Sequence, residues 1–173
     1  RYTLFPYTTL FRSAGDEVLM PDPSYPCNRH FVTAADGRPV LIPADAGGRF
    51  QLGADTVRAA WGARTRGVLL ASPSNPTGTS IDPQELARIH QCVRKHDGFT
   101  LVDEIYLGLS YDSRFGQSAL ALGDDVVSIN SFSKYFNMTG WRLGWLVVPD
   151  SLVPAMERLA QNLFICASAV SQY

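Results

Sequence analysis

The residue types that could do covalent chemistry stand closest together between Ser131 and Trp145. Lys134 lies there among small hydroxyl and aromatic residues, and Arg142 follows a short way downstream. Burial in such company would lower the pKa of the lysine from about 10.4, giving the neutral amine that Schiff-base chemistry needs. Hydroxyl groups and a planar guanidinium are donors suited to a phosphate dianion. On its own the stretch fits a surface turn with a stray lysine equally well, so its meaning depends on the elements around it.

The composition describes one globular domain and gives no sign of a nucleic-acid or membrane partner. A chain of 173 residues that is 46% hydrophobic and 18% charged is long enough to bury a full core. A net charge of −1 gives no electrostatic basis for binding nucleic acid, and no apolar run approaches membrane-spanning length. Three scattered cysteines argue against a disulfide framework and for a reducing compartment. We therefore expect a soluble, cytoplasmic protein.

Residues 1–13 stand apart from the rest of the chain. Thr3–Ser13 resembles the translation of a sequencing-library adapter, and its apolar residues are broken up by threonines and a proline, unlike a secretory signal. We expect this segment to be a non-native scar and the domain to occupy residues 14–173. A genuine short lead-in strand is the alternative.

From Ala14 onward, strand-like and helix-like segments alternate. Apolar runs predict strands over residues 17–20, 40–42, 67–71, 99–102, 126–129 and 143–148. Helices are expected over residues 27–35 and after the candidate N-caps Asp55, Asp82 and Ser151. This rhythm predicts an α/β fold with an open, mostly parallel, doubly wound sheet covered by helices on both faces.

Polar or aromatic residues follow four of the predicted strands. Tyr25, Asn75, Asp103 and the group Ser131–Lys134 each come just after a strand-like run. In open α/β sheets, ligands bind outside the carboxyl ends of the strands. The spacing therefore predicts a binding site built from these loops.

The motifs at these positions, taken in order, resemble the large domain of the fold-type I, pyridoxal-phosphate-dependent aminotransferases of class I/II. The resemblance runs from about Ala14 to the last residue, and no single motif is specific alone. The motifs are Pro23-Ser24-Tyr25-Pro26, Ser74-Asn75-Pro76-Thr77-Gly78, Asp103-Glu104-Ile105-Tyr106, Ser131-Phe132-Ser133-Lys134 and Met138-Thr139-Gly140-Trp141-Arg142-Leu143-Gly144.

The resemblance implies catalytic roles for Lys134, Asp103 and Tyr106. Lys134 would bind the aldehyde of pyridoxal phosphate covalently and later move a proton on the substrate. Asp103 would keep the pyridine nitrogen protonated, and Tyr106 would hydrogen-bond the phenolic oxygen of the ring. Taken singly, Asp103 could be a cap or turn residue and Tyr106 a packed aromatic.

The resemblance also implies cofactor-binding roles for five further residues. Asn75 would share the phenolic oxygen with Tyr106, although asparagine alone is also a common turn former. Tyr25 would stack on the ring, although an aromatic residue beside prolines is often part of a core. Ser131 and Arg142 would hold the phosphate, with Ser133 as a third donor. An arginine next to tryptophans could otherwise make only a cation–π contact.

Other functions are less well supported by the sequence. Asp103-Glu104 after a buried strand also resembles the Mg²⁺-binding strand of P-loop ATPases, but the chain lacks the required Gly-x-x-x-x-Gly-Lys-Ser/Thr loop. Cys27 with His30, or Cys92 with His96, gives only half a zinc site, so we expect no metal. A C–S β-lyase on the same scaffold, or the aminotransferase-like domain of a cofactor-sensing transcription regulator, stays open.

Two groups implied by the resemblance fall outside the sequence. The upstream turn with further phosphate contacts would precede Gly15, and the arginine for the substrate α-carboxylate would follow Tyr173. We therefore expect a partial domain that is inactive by itself and belongs to a homodimer when full length. Its substrates would be an amino acid and a 2-oxo acid whose side chains this chain does not specify.

Overall fold

A six-stranded sheet positions every other element of the chain. The computed structural model describes residues 13–173, so all but the last residue of the adapter-like segment lies outside it. The strands are β1 Glu17–Asp22, β2 Arg38–Pro43, β3 Thr65–Ala71, β4 Phe99–Asp103, β5 Val126–Ser131 and β6 Gly144–Val147. They pair in the order β2-β1-β3-β4-β5-β6, and only β6 runs antiparallel to its neighbour. The expected mostly parallel sheet is confirmed.

Helices cover both faces of this sheet. They are α1 Pro26–Ala34, α2 Ala54–Ala60, α3 Pro83–Arg94, α4 Val153–Leu163 and α5 Ala169–Gln172. Residues of α2 and α3 pack on one face of the sheet, and residues of α1 pack on the other. The doubly wound arrangement is therefore also confirmed.

Alternate residues of the central strands supply the two halves of the core. Leu19 and Leu70 lie in the cluster formed with α2 and α3, whereas Val18, Met20 and Leu69 lie in the cluster formed with α1. All five side chains are buried. A strand buried on both faces has no polar face, which is why these strands read as continuous apolar runs.

Of the three predicted helix caps, one is confirmed. The carboxylate of Asp82 accepts a hydrogen bond from Gln84 N at 2.9 Å, as an N-cap should. The other two are wrong: Gly53 precedes α2, so Asp55 lies inside its first turn, and Ser151 lies in a short 3-10 turn before α4. Sequence patterns locate helices better than their first residues, because several polar residues near a helix start are equally good cap candidates.

A charged cluster occupies the amino edge of the sheet, where β1 begins. Glu17 is 8% exposed and accepts a hydrogen bond from Arg38 Nη2 at 2.6 Å. Arg64 Nε lies 3.4 Å from the same carboxylate oxygen. This buried acid is far along β1 from the loops that follow its carboxyl end, and it offers a matched control for substitutions made there.

We expect Gly67→Ala to destabilise the fold. Gly67 is buried on β3 opposite Phe99 of β4, and a Cβ at this position would overlap the carbonyl oxygen and ring of Phe99. Forcing an extra methyl group into a packed core typically costs about 1–3 kcal/mol. Urea unfolding should show this loss, whereas Gly116→Ala, at an exposed position with only ordinary contacts, should have little effect. Equal midpoints for the two variants would contradict the close packing of β3 on β4.

Candidate active site

The carboxyl ends of β1, β3, β4 and β5 lie side by side at one edge of the sheet. These four strands are neighbours and run parallel, so the loops that follow them open on the same edge. Backbone hydrogen bonds join the loops directly: Ser72 N donates to Asp103 O at 3.0 Å, and Glu104 N donates to Ile129 O at 2.8 Å. The sequence-predicted residues carried by these loops are therefore brought to one edge: Tyr25, Asn75, Asp103, Tyr106, Ser131, Ser133 and Lys134.

Ser131, Ser133 and Arg142 form a hydrogen-bonded cluster after β5. Ser131 Oγ donates to Ser133 Oγ at 2.9 Å, and Arg142 Nη1 donates to the same oxygen at 3.3 Å. Arg142 Nη1 also donates to Thr139 O at 2.8 Å, which holds the guanidinium next to the serines. Ser131 and Arg142 line an open groove of about 990 Å³. The cluster thus groups two hydroxyls and a cation, a donor set that suits an anion such as phosphate, although Ser133 is buried behind the two residues that line the groove.

Lys134 directly follows Ser133 of this cluster, and its side chain is exposed. The expectation of a buried lysine is therefore wrong for the part of the chain that the structure describes. The turn that carries Lys134 projects from the sheet edge, where hydrogen bonds from Asn137 N to Lys134 O and from Met138 N to Phe132 O close it. An exposed amine at this position is accessible to a carbonyl compound.

The Lys134 turn also contacts the loop after β4. The ring of Tyr135 lies so close to Gly108 that a Cβ there would stand 2.8 Å from the ring. Glycine permits this approach because it has no side chain. The turn is therefore packed against the segment that leaves Asp103 and Tyr106.

Asp103 is the last residue of β4 and has a perturbed carboxyl group. Its Oδ1 accepts a hydrogen bond from Ile105 N at 3.0 Å. The pKa of Asp103 is raised from 3.8 to about 6: burial is the largest cause and the adjacent charge of Glu104 adds to it, while the hydrogen bond from Ile105 acts in the opposite direction. A cation beside this carboxylate would relieve the cost of its charge. Asp103 can therefore hold a protonated ring nitrogen.

Tyr25 lies within electrostatic reach of both Asp103 and Tyr106. A hydrogen bond with the Cys27 side chain is the main cause of its raised pKa, and the charges of Tyr106 and Asp103 add to it. Tyr25 directly precedes α1 and is 39% exposed, so its ring is available to pack against a ligand. Tyr25, from the loop after β1, therefore lies near Asp103 and Tyr106, from the end of β4 and the loop that follows it.

Asn75 and Tyr106 line a common cavity of about 550 Å³. The loop that carries Asn75 is closed by hydrogen bonds from Gly78 N to Ser74 O at 2.8 Å and from Ser74 N to Thr79 O at 2.9 Å. Gly78 has φ +68°, a conformation that side chains other than glycine rarely adopt. The amide of Asn75 and the hydroxyl of Tyr106 can thus meet the same ligand.

Sequence reasoning missed the partners of Glu104. This residue is 3% exposed and accepts hydrogen bonds from Ser128 Oγ, Ser118 Oγ and Ala119 N at 2.6, 2.8 and 2.6 Å. The position of two adjacent acids directly after a buried strand indicated that one of them could be buried. A charged residue is seldom fully buried unless it is paired, so such a residue needs hydrogen-bond partners. The identity of its partners was not readable, since Ser118 and Ser128 lie in separate elements downstream.

The described residues give no structural basis for a metal site or a membrane span. Among residues 13–173 no group of three or more potential metal ligands comes together, and His96 stacks on the ring of Trp61 at 4.9 Å. In the same residues every helix is too short or too polar to cross a membrane.

The raised pKa of Asp103 predicts a pH-dependent cost in the cofactor-free whole protein. Between its ordinary value of 3.8 and about 6, the folded state holds a proton that the unfolded chain has released. Stability should therefore fall as pH rises through this window, by at most about 3 kcal/mol. Asp103→Asn should remove that dependence, so its unfolding midpoint should exceed that of the unmodified protein by more at pH 7 than at pH 4. Parallel stability profiles for the two proteins from pH 4 to pH 7 would contradict the burial of this carboxyl.

Known proteins resemble this chain in both sequence and structure. The sequence matches the family "Aminotransferase class I and II" over residues 5–173. The "Valine--pyruvate aminotransferase" of Mycobacterium tuberculosis is 44% identical over 160 residues, which cover 92% of this chain and 41% of that protein. The chain thus spans about two fifths of the length of this curated relative.

Two crystal structures agree with this match. An aminotransferase from Mycobacterium tuberculosis is 42% identical with a TM-score of 0.87, over 95% of this chain and 42% of that one. The aspartate aminotransferase of Rhizobium meliloti is 33% identical with a TM-score of 0.90, over 98% of this chain and 44% of that one. With the motifs on adjacent strand ends and a sequence match over nearly its whole length, the chain belongs to the aminotransferase class I and II family.

Proposed function

We propose that the whole protein, of which this chain forms the cofactor-binding part, is a pyridoxal-phosphate-dependent transaminase. It exchanges an amino group between an amino acid and a 2-oxo acid. One observation carries this proposal. The partly buried Asp103 and the Ser131–Ser133–Arg142 cluster lie at the ends of the neighbouring strands β4 and β5. The aminotransferase names of the relatives support group transfer over β-elimination or transcription regulation.

The donor set fits pyridoxal phosphate at both ends of the molecule. The two serine hydroxyls and Arg142 would hold the phosphate, since charge-assisted hydrogen bonds to a dianion are strong. Asp103 would hold the proton on the ring nitrogen, because its burial favours a cationic partner. When bound, the cofactor supplies an electron sink for negative charge that develops at the substrate α-carbon.

The remaining residues would orient the ring and move protons. The exposed amine of Lys134 would attach covalently to the aldehyde carbon, then carry a proton to and from the substrate α-carbon once substrate displaces it. Asn75 and Tyr106, which share a cavity, would hydrogen-bond the ring hydroxyl. Tyr25 would pack on the ring face, where an aromatic side chain contributes contact area and excludes water.

The setting of the whole protein is part of the same proposal. Cys27, Cys92 and Cys166 are free thiols, which supports a reducing cytoplasm. We further propose a homodimer, and we expect the isolated chain to be inactive because it spans only part of the length of its relatives.

An amino-transfer assay tests the proposed reaction. The whole protein with pyridoxal phosphate and pyruvate should form alanine from at least one donor in a panel that includes valine, aspartate and phenylalanine. Formation of pyruvate and a free thiol from a cysteine conjugate, with no alanine from any donor, would overturn the transaminase proposal in favour of a β-lyase.

A further inference from the structure

We propose that Glu104 is a positioning residue for this site. Its buried carboxylate clamps the end of β4 to β5 and so fixes where Asp103 and Tyr106 stand. The inference rests on the proposed function, because the positioned groups are those assigned to the cofactor.

The clamp consists of hydrogen bonds to both oxygens of the carboxylate. Oε2 accepts from Ser128 Oγ of β5 at 2.6 Å and from Ser118 Oγ at 2.8 Å. Oε1 accepts from Ala119 N at 2.6 Å, at the start of a short 3-10 turn. Such short bonds to an ionised acceptor are roughly twice as strong as neutral ones, so the carboxylate ties three separate segments together.

Two hydrogen bonds also fix the backbone of Glu104, one at its N–H group and one at its carbonyl oxygen. Glu104 N donates to Ile129 O of β5, and Leu107 N donates to Glu104 O, each at 2.8 Å. Asp103 directly precedes this anchored residue, and Tyr106 lies within the turn that the second bond closes. A movement of Glu104 would therefore displace both groups.

The clamp extends to the strand that carries the phosphate-binding cluster. Ser128 Oγ accepts a hydrogen bond from Asn130 Nδ2 at 2.9 Å, and Asn130 directly precedes Ser131. Glu104 thus connects the loop after β4 with the end of β5. Together with the pairing of β4 and β5, this carboxylate holds the two parts of the candidate site, at the ring nitrogen and at the phosphate, at a fixed separation.

The charge of Glu104 also acts on Asp103. It is one of the causes that raise the pKa of Asp103, so it strengthens the preference of that carboxyl for a protonated partner. A neutral side chain of the same shape would remove this effect while filling the same space.

Glu104→Gln in the whole protein tests the proposal, with Glu17→Gln as the matched control. Both acids are buried and hydrogen-bonded, but Glu17 lies at the opposite edge of the sheet. The glutamine amide has one acceptor oxygen and cannot accept at both positions of Glu104. We expect both variants to unfold at lower temperature, whereas only Glu104→Gln should bind pyridoxal phosphate at least about tenfold more weakly.

A second readout separates positioning from a general loss of stability. The midpoint of the pH titration of the bound cofactor's visible absorbance should shift in Glu104→Gln and stay unchanged in Glu17→Gln. If Glu104→Gln fails to fold, Ser128→Ala removes one donor, keeps the carboxylate and should give a smaller shift of the same sign. Cofactor affinity and titration midpoint equal to those of Glu17→Gln would overturn the clamp. Failure of the unmodified protein to bind pyridoxal phosphate would instead overturn the proposed function.

Discussion

Replacing Lys134 with alanine should abolish amino-group transfer by the whole protein while leaving the fold and cofactor binding largely intact. Lys134 is assigned both the covalent bond to the cofactor and the proton transfer at the substrate α-carbon. Loss of a positioned general acid–base group alone costs about 10²–10⁴-fold in rate, so we expect at least a thousandfold loss. The fold should survive because the side chain is exposed, and exposed substitutions usually change stability by less than about 0.5 kcal/mol.

The chain provides its own control for this experiment. Lys95 is the other lysine of the sequence, and it is exposed just beyond α3, before β4 begins. Lys95→Ala removes the same charge and the same methylene groups at the opposite edge of the sheet. Transfer rates for Lys95→Ala should match those of the unmodified protein. A residual rate in Lys134→Ala within tenfold of this control would remove Lys134 from its catalytic role.

Asp103→Asn should lower the rate of transfer by orders of magnitude, with a tenfold loss, or about 1.4 kcal/mol, as the minimum. An amide cannot balance the positive charge of a protonated ring nitrogen, so the electron sink is weakened while the shape of the side chain is kept. The same substitution should stabilise the cofactor-free protein at pH 7, because the buried charge is removed. A loss of activity with a gain of stability is the expected combination.

Asp97→Asn is the control for this second substitution. Asp97 is exposed at the amino edge of the sheet and has φ 52°, a conformation that asparagine also tolerates. It should change neither the rate nor the stability appreciably. Turnover of Asp103→Asn equal to that of Asp97→Asn would mean that the ring nitrogen has another partner.

The strands β1, β3, β4 and β5 were predictable because their apolar runs mark burial on both faces. The structure extends β1 to Asp22 and β2 to Arg38, since ladder pairing continues past the apolar residues that the sequence pattern detects. The antiparallel direction of β6 was not readable, because a short apolar run such as residues 143–148 has the same appearance in either direction.

The predicted site residues gather at one edge because strand order and direction place their loops together. The sequence could not predict features that depend on distant segments of the chain. The exposure of Lys134 depends on which segments cover its turn, and the burial of Glu104 depends on Ser118 and Ser128. Side-chain partners of this kind are set by tertiary packing, on which a local pattern has no bearing.

Borohydride reduction of the whole protein with bound pyridoxal phosphate tests most directly whether the site is built around Lys134. Reduction makes the bond between cofactor and amine permanent, and peptide mass spectrometry then locates the label. We predict one labelled residue, Lys134, in the peptide that also contains Ser131 and Ser133. Recovery of the label on Lys95 or any other residue, or no label in a protein that transfers amino groups, would contradict the proposed site.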